Sequence, residues 1–170
     1  MEKISILDFI KGLPFFEHFS EDEKSCLINS KGLFEKYSAE EIIIKQGAIE
    51  SWLFIILQGK IKLSKEVNSN IDKSRISLTD SEEIVVKELD IGSIFGEISL
   101  ITDRPRNVTA RASSNEVAVL KITKEILESF DKSIQMKFQK QLLTKLAENL
   151  DDMNTEFIKL KAVIKKGLKK

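Results

Sequence analysis

FGEISLITDRPRNVTA, residues 95–110, brings a glycine, a carboxylate, a tight polar turn and a guanidinium into one short segment. Gly96 lets the backbone approach another group closely, and Glu97 to Ile101 can form a single helical turn. The first N–H groups of such a turn lack partners within the helix and suit an anion. Pro105 fixes φ just before Arg106, which can close the anion from the opposite side through two charge-assisted bonds. Glu97 would repel a bare phosphate, but it fits a ligand that also carries hydroxyl donors, as a sugar does. A structural ion pair between Glu97 and Arg106 satisfies the same residues, and the residues alone leave both readings open.

Around this stretch the composition narrows the function class. The chain has 170 residues, 42% of them apolar, enough for one core plus an appendage. Lys+Arg and Asp+Glu both number 27, so no overall field draws the chain to nucleic acid or membrane, and any polyanion site has to be local. The single Cys26 cannot form an internal disulfide, and in the helix-like SEDEKSCLI it is expected as a partly buried structural thiol. The single His18, in PFFEHFS, is expected on an exposed turn. One imidazole cannot build a multi-histidine metal site, and a Ser–His or Cys–His pair would have to use this one. A non-enzymatic protein with no metal and no required cofactor is therefore expected. MEKISILDFIKGL is interrupted by Asp8 and Lys11, unlike a signal peptide, and no apolar run reaches about 18 residues. The expectation is a cytoplasmic protein without a membrane span.

The texture of the chain changes twice. Residues 3–34 alternate helical pieces with punctuation, and Ser20 followed by Glu23 has the form of a capping box. From about 34 onward, FEKY, EIIIKQ, SWLFIIL, KIKLSKEV, RISLT, EIVVKEL, VTARAS and VAVLKIT read as eight short strands broken by Gly47, Gly59 and Gly92. That pattern predicts a closed or double-layered antiparallel structure. The polar segment 66–83 reads as a mobile hairpin tip. A short helix is expected over 123–130 and one long helix from Ser133. Along it Leu143, Leu146, Leu150, Met153, Phe157, Leu160 and Ile164 advance by alternating threes and fours, the spacing of a coiled-coil seam. Met136 extends this stripe, interrupted at Gln139, while Ile134, Phe138 and Leu142 form a second apolar face near the start. A helix of about 35 residues is about 50 Å long, more than a small domain is wide, so pairing with a second copy is expected. The terminal IKLKAVIKKGLKK carries six lysines and no acid, which a helix C-terminus favours.

The opening stretch resembles the phosphate-binding cassette of cyclic-nucleotide-binding domains, the family of the catabolite activator and of protein kinase A regulatory subunits. FGE, Leu100 three residues on and the Pro105–Arg106 pair carry the resemblance. The upstream IIIKQGAIESWLFIILQGKIKLSKE is similar to the family's strand pair, and the likeness spans roughly residues 7–150. It implies an α+β, mainly β fold: an eight-stranded antiparallel β-roll of jelly-roll type with N-terminal helices and a long C-terminal helix. Residues 1–130 would form the nucleotide-binding domain with its helical bundle and B helix, and residues 131–170 the dimerisation helix with its basic tail. The resemblance also implies roles. Glu97 would accept from a ribose 2′-hydroxyl, Arg106 would pair with the cyclic phosphate, and Gly96 with the amides near Ile98 and Ser99 would line it. After the arginine, where the family has small residues, this chain has Asn107 and Val108. Val108 lacks the hydroxyl that favours guanine there, which leaves cyclic AMP (cAMP) as the expected ligand. In the transcription-factor branch a polar pair on the C helix reaches the purine. The corresponding Asn154 and Thr155 are either that pair or solvent-facing positions of a coiled coil.

The implied function is a cyclic-nucleotide sensor, signalling through its C-terminal helix to an unknown downstream protein. The alternative is a ligand-binding-deficient dimeric interaction module of the same fold. A stand-alone member is expected, with no DNA-binding domain and no direct sequence-specific contact to DNA.

Overall fold

The computed structural model describes residues 6–29, 34–68 and 81–167. They fall into two compact units, Met1–Phe130 and Asp131–Lys170. The first unit opens with α1 (Ile6–Lys11), a 3-10 turn (Pro14–Phe16) and α2 (Glu21–Asn29). The capping box forms: Ser20 N–H donates to Glu23 Oε2 at 2.7 Å and Glu23 N–H to Ser20 Oγ at 3.2 Å, satisfying two orphan donors at the start of α2. Phe16 meets Phe15 and Phe19 edge-on, with ring centroids 5.0 and 5.4 Å apart. His18 is exposed in the turn, as its setting predicts. Cys26 corrects the expectation of a partly buried thiol, because it is exposed. Among residues 21–26 of α2, whose burial is described, the buried one is Lys24. Two residues along a helix are about 200° apart, so burying the aliphatic stem of Lys24 turns Cys26 outward.

Eight antiparallel strands follow: β1 (Phe34–Ser38), β2 (Ile42–Ile44), β3 (Trp52–Gln58), β4 (Ile61–Asn68), β5 (Ser81–Leu89), β6 (Ile94–Phe95), β7 (Thr109–Ala112) and β8 (Glu116–Thr123). They make two four-stranded sheets, ordered β1-β8-β3-β6 and β2-β7-β4-β5. The core draws on both, with Ile44, Phe54, Ile56, Ile61, Phe95, Ala110, Val117 and Val119 among its members. The alternate residues Leu53, Ile55, Leu120 and Ile122 are fully buried as well. Both faces of the central strands are thus covered, so WLFIIL reads as a continuous apolar run.

The strand count matches the sequence reading, but one member differs. The expected strand RISLT, residues 75–79, and the hairpin-tip residues 69–80 lie outside the described residues. The remaining strand is β6, which pairs through Phe54↔Phe95 and Ile55↔Ile94. Two residues are too few to show a period.

Gly59 turns β3 into β4 at φ +81°, and a Cβ there would stand 2.5 Å from the Glu116 backbone oxygen. Gly59→Ala is expected to cost about 2 kcal/mol from left-handed strain and overpacking combined. Denaturant unfolding would read this, and an unchanged midpoint would contradict it.

α3 (Glu97–Thr102) and α4 (Lys124–Ser129) complete the first unit, and α5 (Lys132–Gly167) forms the second. Asp131 caps α5, its Oδ1 accepting from Ile134 N–H at 3.0 Å. Ile134, Phe138 and Leu142 are buried, as their second apolar face implied. The stripe that continues through Leu143, Leu150, Met153, Phe157, Leu160 and Ile164 is exposed at every one of these positions. Among the described residues no helix is long and apolar enough to cross a membrane.

Candidate functional site

The site is built by the turn between β6 and β7. β6 hands the chain to Gly96, which adopts φ +80° at the N-cap of α3. A Cβ on Gly96 would meet Arg106 Nη1 at 2.7 Å, Ile44 Cδ1 at 3.0 Å and the Trp52 backbone oxygen at 3.2 Å. Conformation and space both require glycine here. α3 buries Glu97, Ser99 and Leu100 and leaves Ile98 exposed. Its end is closed by Asp103, whose N–H donates to Ser99 O at 3.0 Å from a left-handed conformation.

The loop then delivers Arg106, which is 3% exposed. Its backbone is fastened to the turn between β2 and β3: Arg106 N–H donates to Ala48 O at 2.9 Å, and Gly47 N–H donates to Arg106 O at 2.8 Å. That turn is fastened in its own way. The Gln46 amide accepts from Glu66 N–H at 2.8 Å and donates to Glu66 O at 3.4 Å, filling the place of a strand neighbour beside β4. The Gln46–Gly47 pair thus fixes where Arg106 enters.

The guanidinium is held on two sides. Nη1 donates to Gly96 O and Nη2 to Trp52 O, both at 2.7 Å. The structure therefore joins the predicted residues Gly96 and Arg106 directly. The ion pair recorded for Arg106 is with Glu50, Nε to Oε2 at 3.5 Å, and Glu50 is a residue that the sequence reading did not single out. Burial pulls the Arg106 pKa below its ordinary value, opposed first by Glu50 and then by Glu97. A guanidinium nonetheless keeps its proton in a protein.

Trp52 connects this arginine to the interior of the roll. Its ring lies 5.7 Å from Arg106 Cζ and 4.2 Å from Lys121 Nζ, measured to the ring centroid. Lys121 pairs with Glu35 at 3.0 Å, and Glu35 also accepts from the Tyr37 hydroxyl. Burial, then that hydrogen bond, pushes the Tyr37 phenol well above its usual range. Glu50 Oε2, Trp52 Nε1 and Arg106 Nε are the buried side-chain polar atoms without a hydrogen-bond partner among the described residues. The Glu50–Arg106 contact is ionic, and neither atom completes a hydrogen bond through it.

The remaining predicted residues fall in two places. Asn107 is exposed and Val108 half-buried, both just before β7, so the Asn107 side chain is not packed into the turn. Asn154 and Thr155 are exposed on α5, in the second compact unit. Among the described residues no cluster of His, Cys, Asp or Glu could hold a metal ion.

Two sheets close over an apolar interior, with an arginine brought into the wall by a short helix and its loop, and together they make a β-roll. Residues 34–133 match the model of the cyclic nucleotide-binding domain, and the chain belongs to that family. It is 27% identical over 118 residues to human (Homo sapiens) cGMP-dependent protein kinase 2, covering 69% of this chain but 14% of the kinase. It is 32% identical over 105 residues to the cAMP-dependent protein kinase regulatory subunit of Mycosarcoma maydis, covering 62% of this chain and 18% of that one. Among solved structures, the catabolite activator protein of Thermus thermophilus superposes with a TM-score of 0.69 at 21% identity, over 86% of this chain and 62% of that one. The chain thus spans a small part of the curated relatives it matches, and the fold they share is the β-roll.

Proposed function

We propose that the chain is a cAMP-binding regulatory protein of the cytoplasm that signals through α5. The supporting observation is Arg106: a buried guanidinium anchored to Gly96 O and Trp52 O beside the buried carboxylate of Glu97. A cyclic phosphate would be neutralised by Arg106 and lined by Gly96 with the amides near Ile98, Ser99, Asn107 and Val108. Its ribose would offer a hydroxyl to Glu97. Signalling requires that the ligand bind one arrangement of the chain better than another, because a ligand with equal affinity for both shifts nothing.

In this reading the exposed stripe of α5 pairs with a second copy of the chain, and the assembly acts on a partner protein without direct sequence-specific contact to DNA. With Leu143, Leu150 and Phe157 at the a positions of the seam, Glu156 and Lys161 fall at g and the following e. In a parallel pair they are oppositely charged neighbours across the interface.

A thermal melt tests the ligand. At about 100 times its dissociation constant, cAMP would stabilise the domain by about 2.7 kcal/mol, raising the melting temperature by roughly 5 to 11 °C. The second reading, a ligand-deficient dimeric module, is favoured by Asn107 and Val108 at positions where the family has small residues. It is the result to accept if cAMP, cyclic GMP, cyclic CMP and cyclic dinucleotides all leave the melt unmoved.

A further inference from the structure

Trp52 has no part in the ligand contacts described so far, yet it borders the one place where unsatisfied polar atoms gather. Trp52 Nε1 and Arg106 Nε are both N–H donors, both buried and both without a hydrogen-bond partner among the described residues. A buried donor without a hydrogen bond is costly, by about 1–3 kcal/mol, and with the Trp52 ring centroid 5.7 Å from Arg106 Cζ an acceptor that carries two oxygens can serve both donors. The acceptor that faces Arg106 Nε is Glu50 Oε2, its ion-pair partner at 3.5 Å, which completes no hydrogen bond. The Glu50 side chain is 28% exposed and can swing toward solvent.

Arg106, by contrast, cannot follow it. Its two terminal nitrogens are committed to Gly96 O and Trp52 O, which fixes the plane of the fork and leaves Nε–H as a donor of set direction. Arg106 Nη2 bonds the backbone oxygen of the residue whose ring lies 5.7 Å away, so the guanidinium is tied to the main chain that carries the indole. On the other side of the ring, Lys121 is held by Glu35 at 3.0 Å. Two cations thus flank the indole, each with its own carboxylate partner.

We infer that Trp52 is a second anchoring residue for the ligand, its indole N–H donating to a phosphate oxygen beside Arg106 Nε, in the place that the Glu50 carboxylate gives up. The inference rests on the cyclic-nucleotide reading and adds a contact to it. A phosphate suits the position because it offers two acceptor oxygens and a negative charge at once, whereas a neutral hydroxyl could accept from only one donor well.

The chain has one tryptophan, so a nitrogen-15 spectrum contains one indole N–H signal. In the wild-type protein, saturation with cAMP should move that signal downfield and slow its exchange with solvent. Trp52→Phe keeps an aromatic ring and the backbone carbonyl that Arg106 uses, and deletes only the donor side. Calorimetry should show it binding cAMP about tenfold more weakly, the loss expected for one hydrogen bond to a charged group. Its melting temperature without ligand should fall modestly, because the smaller ring packs less against the core, and a cooperative melt shows that the variant folds. If calorimetry shows cAMP binding while the indole signal stays put, or if Trp52→Phe binds as tightly as wild type, the anchoring role is wrong and the cyclic-nucleotide reading stands. Should no cyclic nucleotide release heat with the wild-type chain, the reading fails and this inference falls with it.

Discussion

Arg106→Ala should abolish the thermal shift produced by cAMP and lower the melting temperature of the ligand-free protein as well. The two losses have separate causes. A ligand phosphate deprived of its buried charge partner loses 2–5 kcal/mol or more, which is at least about a hundredfold in affinity near the middle of that range. Stability falls because the guanidinium bonds Gly96 O and Trp52 O at 2.7 Å each and faces Glu50 at 3.5 Å. Its removal strands two carbonyls at about 1–3 kcal/mol each, whereas the Glu50 side chain, 28% exposed, can turn to solvent. For a domain of this size the sum, about 2–6 kcal/mol, is roughly 4 to 24 °C. Arg106→Lys separates the two effects. An ammonium keeps the charge but cannot make the fork that reaches both carbonyls, so part of the stability should return and most of the affinity should not. A melt of Arg106→Ala identical to wild type would mean that the loop does not depend on this side chain.

The second large effect concerns α5. Leu150→Glu combined with Phe157→Glu should convert a dimer into a monomer at every accessible concentration. Leu150 is 56% exposed and Phe157 55% exposed within the single chain, so the substitutions remove little packing from one copy. In a parallel pair each faces its own counterpart. Removing four large apolar side chains from a seam costs about 6 kcal/mol or more, before adding the repulsion of facing carboxylates. Light scattering should report about twice the 19.4 kDa chain mass for wild type and the single-chain mass for the variant. A wild-type mass of one chain would end the dimer proposal, and an unchanged mass in the variant would move the interface elsewhere.

How much of this was legible in the residues depends on the range of the interaction concerned. The capping box of Ser20 and Glu23 was visible because it closes over three positions. The strand runs are legible because Ile, Val and Phe recur through them, and the resemblance of 95–110 to a phosphate cassette singles out Gly96 and Arg106, which the structure joins by a hydrogen bond. Glu50 is not legible, since it stands 56 residues before Arg106 in the chain (106 − 50) and meets it only because Gly47 and Ala48 pair with the arginine's backbone. Trp52 looked like the first residue of an apolar strand, which it is. Its second role arises only because Arg106 takes its carbonyl oxygen. β6 escaped because it owes its strand geometry to Phe54 and Ile55 opposite rather than to its own sequence. Cys26 was misplaced because the composition of α2 does not say which of its faces is covered.

The Gln46 side chain has a mechanical consequence. It clasps both backbone groups of Glu66 one residue away from Gly47, which is bonded to Arg106. The peptide at 106 is therefore linked to the far strand, some forty residues earlier in the chain, through Gly47 and the Gln46 side chain. The β-roll has a tie-rod running from its phosphate cassette to its longest hairpin. Tension in that rod would show first in how quickly the Glu66 amide trades its proton for deuterium.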